Sequence, residues 1–222
     1  MDAIVQANYT ESDREVLIPA NHTFHMLPVW ADYLTNMTIT IDGTIKCSKR
    51  QHKWKTWIDP LHNNMTLVND FIELTEIHDF TIRGSGTVDG QGYMWWIREY
   101  LGRNPAGRPK LLNVRGGTNL EFTGVSWNNA PFWTMDILDF DGAYFHDFEI
   151  YVDAYGQLEL DKLLLGSSYF QDGIGGRTLP TYALNTDGID PAGKNVLIER
   201  INITNYDDAV AIKTMDGRGK YA

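Results

Sequence analysis

Residues 36–41 read Asn-Met-Thr-Ile-Thr-Ile, a polar turn residue followed by the alternation of side chains that is typical of a β-strand. The same arrangement returns in later segments that begin at Asp79, Asn119, Gly142 and Asn195. These starts follow one another at intervals of 43, 40, 23 and 53 residues. We interpret the shortest interval as one coil of a β-solenoid, the next two as about two coils each, and the last as two coils with an insertion. A β-sandwich is the competing interpretation, since its strands also recur between turns.

The chain is expected to form one domain over residues 1–222, because Pro and Gly are spread along it and mark no linker. Residues 155–182 interrupt the coil rhythm. They predict a surface excursion that is partly helical around residues 158–165. Loops of this kind on a rigid scaffold often shape a binding cleft.

The composition is that of an ordinary globular protein, with 43% hydrophobic and 22% charged residues. No stretch of the sequence approaches the roughly 18 apolar residues that cross a bilayer, so no membrane association is expected. A net charge of −10 argues against a nucleic-acid partner, whose phosphates would repel the protein. The single cysteine, Cys47, excludes an intramolecular disulfide and a cysteine-based zinc site. We expect a monomer without a metal or other cofactor.

The expected compartment follows from Asn-x-Ser/Thr sequons. Five sequons are present, which is more than random pairing of these residues would give. They begin at Asn8, Asn21, Asn36, Asn64 and Asn202. The excess favours an extracellular glycoprotein whose secretory leader is not part of this chain. The alternative is that β-rich sequences are simply rich in Asn and Thr.

Three carboxylates near the end of the sequence indicate a catalytic site. Asp187 precedes Asp207 by 20 residues and Asp208 by 21, nearly one coil of the predicted solenoid. Residues one coil apart lie on neighbouring strands about 4.8 Å apart, so the carboxylates should form a cluster. Clustering raises at least one pKa and so places a proton donor beside ionised bases, the pairing that glycoside hydrolysis requires. The alternative is that these residues only form turns.

A second acidic feature allows a different chemistry. Residues 116–161 contain nine acidic residues and no Lys or Arg. This band, which includes Asp136, predicts either a solvated acidic face or a site for a cation with oxygen ligands.

The sequence resembles glycoside hydrolase family 28, the polygalacturonases and related pectin hydrolases. The most specific similarities are Asn185-Thr186-Asp187-Gly188 and the segment from Asp207 to Lys213. Other motifs follow in the family's order: residues 16–20 with 41–45, residues 82–92 with Trp95 and Trp96, residues 108–112, and residues 128–133.

This resemblance implies an all-β fold, a right-handed single-stranded parallel β-helix, and hydrolysis of pectic polysaccharides with inversion. It makes Asp207 the general acid, while Asp187 and Asp208 activate water. Inverting enzymes keep acid and base about 6.5–9.5 Å apart, so Asp207 should point away from the other two carboxylates. Asn185 and Lys213, in the same motifs, are expected to bind substrate. The resemblance does not choose among galacturonan, rhamnogalacturonan and xylogalacturonan, nor between endo and exo cleavage.

The sequence also departs from the family's pattern. A Gly-His-Gly and an Arg-x-Lys motif that follow the aspartate pair in the family do not occur in these 222 residues, and Asp136 stands where a His is common. We therefore expect a β-helix that is incomplete at its C-terminal end and inactive on its own. Two alternatives remain: a calcium-dependent β-helix similar to pectate lyases, and a non-catalytic solenoid that binds sugars through Trp95, Trp96 and Trp133.

Overall fold

The computed structural model describes residues 2–60, 63–154 and 183–214 of the chain. Strands dominate this part of the protein, with two short α-helices and one turn of 3-10 helix at residues 51–53. The helices are α1 (Asp2–Tyr9) and α2 (Tyr93–Tyr100). The strands are β1 (Glu15–Ile18), β2 (Thr23–Met26), β3 (Val29–Asp32), β4 (Thr35–Ile41), β5 (Thr44–Cys47), β6 (Thr56–Asp59), β7 (Met65–Val68), β8 (Ile72–Arg83), β9 (Thr87–Asp89), β10 (Leu112–Thr123), β11 (Ser126–Asn128), β12 (Met135–Tyr151) and β13 (Ile189–Thr204).

Eleven of the strands form one sheet, in which every pairing is parallel. The long strands β8, β10, β12 and β13 lie side by side in sequence order, while β11, β9, β5 and β2 continue the sheet back to the first coil. A sheet that returns on itself through parallel neighbours is a parallel β-helix, so the predicted fold is confirmed. The two remaining strands, β6 and β7, form a separate antiparallel hairpin.

The five recurring segment starts occupy one corner of the β-helix. Strand register aligns the residues that follow them, which are Met37, Phe80, Leu120, Ala143 and Val196. The starts themselves all have positive φ angles, between 50° and 85°. Asn, Asp and Gly are the residues that adopt this left-handed conformation with the least strain. The repeat visible in the sequence is therefore the repeat of a left-handed corner, once per coil.

The intervals between these starts correct our count of coils. Because β4, β8, β10, β12 and β13 pair directly with one another, each interval is a single coil, including those of 40, 43 and 53 residues. The prediction of two coils per long interval is wrong. The extra residues instead fall in the sequence at residues 48–71, at residues 90–111 and between the described residues 154 and 183. Each of these stretches follows the last strand segment of one coil and precedes the first of the next. Interval length alone does not distinguish an inserted loop from a second coil.

The core is a stack of apolar side chains inside the coils. Phe122 and Phe145, partners in the β10–β12 register, stack with ring centroids 4.9 Å apart, and both are fully buried. Ile137 and Ile150 are also completely buried. Continuous burial of this kind, renewed at each rung, supplies most of the stability of a solenoid.

Helix α2 was not expected from the sequence. It lies in the insertion after β9 and buries Trp96 completely, with the indole Nε1 donating to the Ala130 carbonyl at 3.0 Å. Tertiary packing of two adjacent tryptophans, Trp95 and Trp96, outweighs the absence of a long apolar stripe. The excursion predicted for residues 155–182 lies outside the described residues, and the single-domain assignment stays a prediction. None of the helices in the described ranges is long and apolar enough to cross a membrane.

Candidate active site

A column of side chains marks the corner where each coil passes into the next. Each coil contributes one residue to this column. The backbone N–H of the residue that follows it donates to the carbonyl of the column residue in the next coil, at 2.8–3.0 Å. The members, in axial order, are Asp70, Lys110, Trp133, Asp187 and Asp208. We call this set the floor column. It places Asp187 and Asp208 at the same position of adjacent coils, as their spacing predicted.

The three predicted carboxylates converge at one end of the floor column. One carboxylate oxygen from each of Asp187, Asp207 and Asp208 lies within 4.8 Å of the other two. Residues 205–209 belong to no strand, and this break allows the consecutive Asp207 and Asp208 to face the same site. Asp187 is buried, whereas the other two side chains are exposed.

The expectation that Asp207 points away from the other two carboxylates is wrong. The 4.8 Å spacing is shorter than the separation assumed for an inverting acid and base. It suits one bridging water, because hydrogen bonds of about 2.7–2.8 Å to two oxygens span about 5.5 Å. It would also suit a divalent cation, since three carboxylate oxygens are typical ligands of such ions.

The electrostatics of the cluster single out Asp187. Burial, followed by the charge of Asp207, raises the pKa of Asp187 to about 6, and Asp208 acts in the same direction. Asp187 can therefore exchange a proton near neutral pH, which is the property that a group in acid–base catalysis needs.

Asn185 holds Asp207 in place. Its backbone N–H and its side-chain amide both donate to Asp207 Oδ2, at 3.2 and 3.1 Å. The Asn185 side-chain oxygen accepts from Arg108 Nη2 at 3.2 Å. Arg108 also donates to the Leu184 carbonyl at 2.7 Å, and its guanidinium lies 4.9 Å from the centroid of Phe132. The predicted contact of Asn185 with substrate remains a prediction, while its amide is engaged in positioning the carboxylate.

We expect Arg108→Lys to lower kcat about 10²-fold with little change in KM. Lysine keeps the charge, but it cannot bond Asn185 and the Leu184 carbonyl with one planar fork. A small displacement of a catalytic group has a cost of this order. Arg83→Lys is the matched control, because Arg83 bonds Glu15 on another face of the coil. Steady-state kinetics with both variants tests this role, and an unchanged kcat for Arg108→Lys would contradict it.

Lys213 lies beneath the cluster. Its Nζ is 3.4 Å from Asp190 Oδ2 and 4.8 Å from the ring centroid of Trp133. Asp190 is completely buried, and neither of its oxygens accepts a well-formed hydrogen bond from the described part of the chain. Burial, followed by the charge of Asp187, raises the pKa of Asp190 to about 7, which Lys213 opposes. The role of Lys213 in binding substrate stays a prediction.

Asp190 should make the folded protein less stable as the pH rises. Its folded-state pKa of about 7 exceeds the ordinary value of 3.8. The contribution of Asp190 to the free energy of unfolding is therefore highest below about pH 4 and falls as the pH rises to about 7. A shift of this size corresponds to roughly 2–4 kcal/mol. Asp190→Asn should therefore unfold at a higher temperature than the wild type at pH 8, and the advantage should shrink at pH 5. Melting curves of the two proteins that run parallel from pH 5 to pH 8 would exclude this account.

Over residues 116–154, the part of the acidic band that the structure describes, no three acidic or histidine side chains lie close enough together to hold a cation. Asp136 is buried and pairs with Lys110, and Arg115 lies 3.8 Å from its carboxylate. Arg200 likewise bonds Asp147, at 2.6 and 2.8 Å. Within the described ranges, these two acids, Asp136 and Asp147, pair with cations from other coils. The local sequence could not show these pairs.

The three tryptophans considered for sugar binding have different positions. Trp95 and Trp96 are buried and serve packing. Trp133 is a partly exposed member of the floor column, with Lys110 Nζ 5.0 Å from its ring centroid. Arg108, Lys110 and Asp190 are the residues near the cluster that sequence reasoning did not assign to the site, whereas Trp133 was considered for sugar binding. Only the strand register brings these residues to the site, and the register is known only from the fold.

Comparisons with known proteins agree with this architecture. The model of the family described as Glycosyl hydrolases family 28 matches residues 10–218. A polygalacturonase of Juniperus ashei is 27% identical over 207 residues, 89% of this chain and 33% of that protein. An endo-polygalacturonase of Pectobacterium carotovorum subsp. carotovorum is 28% identical over 162 residues, 68% of this chain and 34% of that protein. This chain thus spans about one third of the length of these two relatives.

Among solved structures, the polygalacturonase from Erwinia carotovora ssp. carotovora has the same fold, with a TM-score of 0.72 at 22% identity. The match covers 98% of this chain and 55% of that one.

Proposed function

Because the chain belongs to family 28 of the glycosyl hydrolases, we propose that it hydrolyses glycosidic bonds of pectic polysaccharides as polygalacturonases do. The observation that carries this proposal is the cluster of Asp187, Asp207 and Asp208, whose oxygens lie within 4.8 Å of one another at the end of the floor column. Two of the relatives above are named polygalacturonases of endo or unspecified type, and this supports an acidic galacturonan as substrate.

In the proposed mechanism Asp207 donates a proton to the glycosidic oxygen as the bond to the anomeric carbon breaks. Asp187 and Asp208 accept hydrogen bonds from a water, whose oxygen attacks that carbon as its proton passes to the carboxylate pair. The products are two sugars, one with a new reducing end, and the configuration is inverted. Asn185 and Arg108 hold Asp207 throughout, and Lys110 and Lys213 supply positive charge near substrate carboxylates.

The test is release of reducing ends from polygalacturonate, rhamnogalacturonan and xylogalacturonan. Both the 222-residue chain and the complete product of its gene should be assayed, because the chain spans a third of its relatives' length. New reducing ends that persist in EDTA are the expected result for the complete product. An unsaturated product that requires calcium would indicate a lyase, and binding without any product would indicate a carbohydrate-binding solenoid. Either outcome would overturn the proposal.

The stereochemistry can be measured independently. We expect the first product observed by NMR to carry the inverted anomeric configuration. Retention would mean that a carboxylate attacks the sugar directly, and it would overturn the proposed attack by water. We further propose that the protein acts outside the cell and as a monomer, as an enzyme of a large extracellular polymer would. Detection in culture medium and sedimentation of the purified protein test these two points.

A further inference from the structure

A recess with a volume of about 510 Å³ lies between two of the inserted loops, away from the aspartate cluster. Residues 49–56 form one wall and residues 94–107 the other. Trp54 and Trp95 pack edge to face between them, with ring centroids 5.3 Å apart. Val68 donates from its backbone N–H to the Ala106 carbonyl at 2.9 Å, which closes the base. The recess is therefore built on a packed aromatic support.

The charge of this recess is opposite to that of the protein as a whole. Its lining contains Lys49, His52, Arg98 and Arg103, and no acidic side chain of the described residues lines it. Within the described ranges, no carboxylate lies within ion-pair distance of Lys49 or Arg103. The Nε2 of Gln51 in the same wall is buried without an acceptor there, while its oxygen accepts from Arg98. Unmatched cations and an unmatched donor in a protein of net charge −10 favour an anionic ligand with several oxygens.

The recess and the catalytic cluster lie along the same corner of the β-helix. Arg103 precedes Arg108 by five residues, so at most about 18 Å of backbone separates them. Arg108 in turn contacts Asn185, which bonds Asp207. An extended polymer that follows this corner could occupy both places at once.

We propose that the recess is a second binding site for the acidic polysaccharide, one that holds carboxylates of sugars remote from the bond that is cleaved. The inference rests on the proposed function, because that function supplies a polyanion as substrate. Lys49 and Arg103 at the rim attract the carboxylates, Arg98 and Gln51 orient them, and the tryptophan pair provides an apolar wall. Polymers long enough to reach both places gain affinity by linkage, whereas short oligomers do not.

The test uses tryptophan indole signals in NMR, since the candidate sites contain different tryptophans. The 222-residue chain carries Asp207→Asn to prevent turnover, and trigalacturonate is the probe, with neutral maltotriose as reference. We expect saturable shifts of the Trp54 and Trp95 indoles with trigalacturonate only. The apparent Kd should rise about tenfold in the variant that combines Lys49→Ala with Arg103→Ala, and it should also rise in 0.5 M salt.

The matched control is Lys194→Glu, which changes the net charge by the same two units at an exposed position on strand β13. It should leave the recess affinity unchanged. Equal weakening by both variants, or equal shifts with maltotriose, would overturn the proposal. If only the Trp133 signal responds, the polysaccharide binds at the catalytic cluster and the recess is not a site. If the Trp54 and Trp95 signals respond but no polymer is hydrolysed, the proposed function fails and the recess stands. If the double variant does not fold, the salt dependence of the apparent Kd tests the proposal, and an apparent Kd that does not rise in 0.5 M salt would overturn it.

Discussion

Replacing Asp207 by Asn is expected to lower kcat on a pectic polymer by about 10³-fold while the protein stays folded. The amide cannot supply the proton that the leaving oxygen needs, and general acid catalysis contributes roughly 10²–10⁴-fold. Asp207 is exposed and its contacts with Asn185 are made at the surface, so little folding energy depends on it.

Asp141→Asn provides the matched control for this change. Asp141 is an exposed carboxylate that accepts from Asn195 at 2.6 Å, on a face of the coil away from the cluster. It should leave kcat unchanged. Reducing-end release measures the activity, and thermal melting measures the fold, in whichever form of the protein is active. A kcat for Asp207→Asn within tenfold of the wild type would show that another group donates the proton.

The largest loss of stability is expected from Phe122→Ala, at roughly 3–5 kcal/mol of the free energy of unfolding. The Phe122 ring is fully buried and stacks on Phe145 of the next coil. Its removal leaves a cavity bounded by the backbones of two paired strands, which cannot collapse without breaking their register. Denaturant unfolding followed by circular dichroism gives the free energy directly.

Phe24→Ala is the control with the same change of side chain. Phe24 is 40% exposed on the first coil, so its truncation should cost about 1 kcal/mol or less. Ile198, Ile201 and Ile203 of β13 pack partly buried against the core. Their truncation should cost less than that of Phe122, since in the described part of the chain β13 has a strand partner along one side only. Equal losses for Phe24 and Phe122 would contradict this picture of the core.

Local patterns predicted the strands and the corners because both depend on neighbouring residues. Asn36 and Asn119 could be recognised as turn positions from their type alone, and both have left-handed backbone. The same chemistry bears on the sequons. Asn21, Asn36 and Asn64 all have positive φ, so turn formation provides a second reason for the excess of Asn.

The spacing of Asp187 and Asp208 also sufficed to predict that they stack, because no insertion lies between them. The rest of the site could not be predicted in this way. Arg108 contacts Leu184 and Asn185, which lie 76 and 77 positions further along the chain. The insertions between them have lengths that follow no rule. The burial of Asp190 depends on the coils around it, and nothing in its own neighbourhood distinguishes it from a turn residue.

The floor column has a consequence for how such an enzyme can change its preference for polymers. Each coil contributes one side chain to it, at a rise of about 4.8 Å, and the strand hydrogen bonds involve only the backbone. A substitution at Trp133 therefore alters what the polymer meets at one step along its length while the pairing of the coils is retained. Asp70 and Lys110 are less free to change, because Asp70 accepts the backbone N–H of Lys110 and Lys110 pairs with the buried Asp136. The spacing along the column is thus fixed by the backbone, while the chemistry at a step is set by one side chain. A library of variants at Trp133 offers a direct route to new substrate preferences.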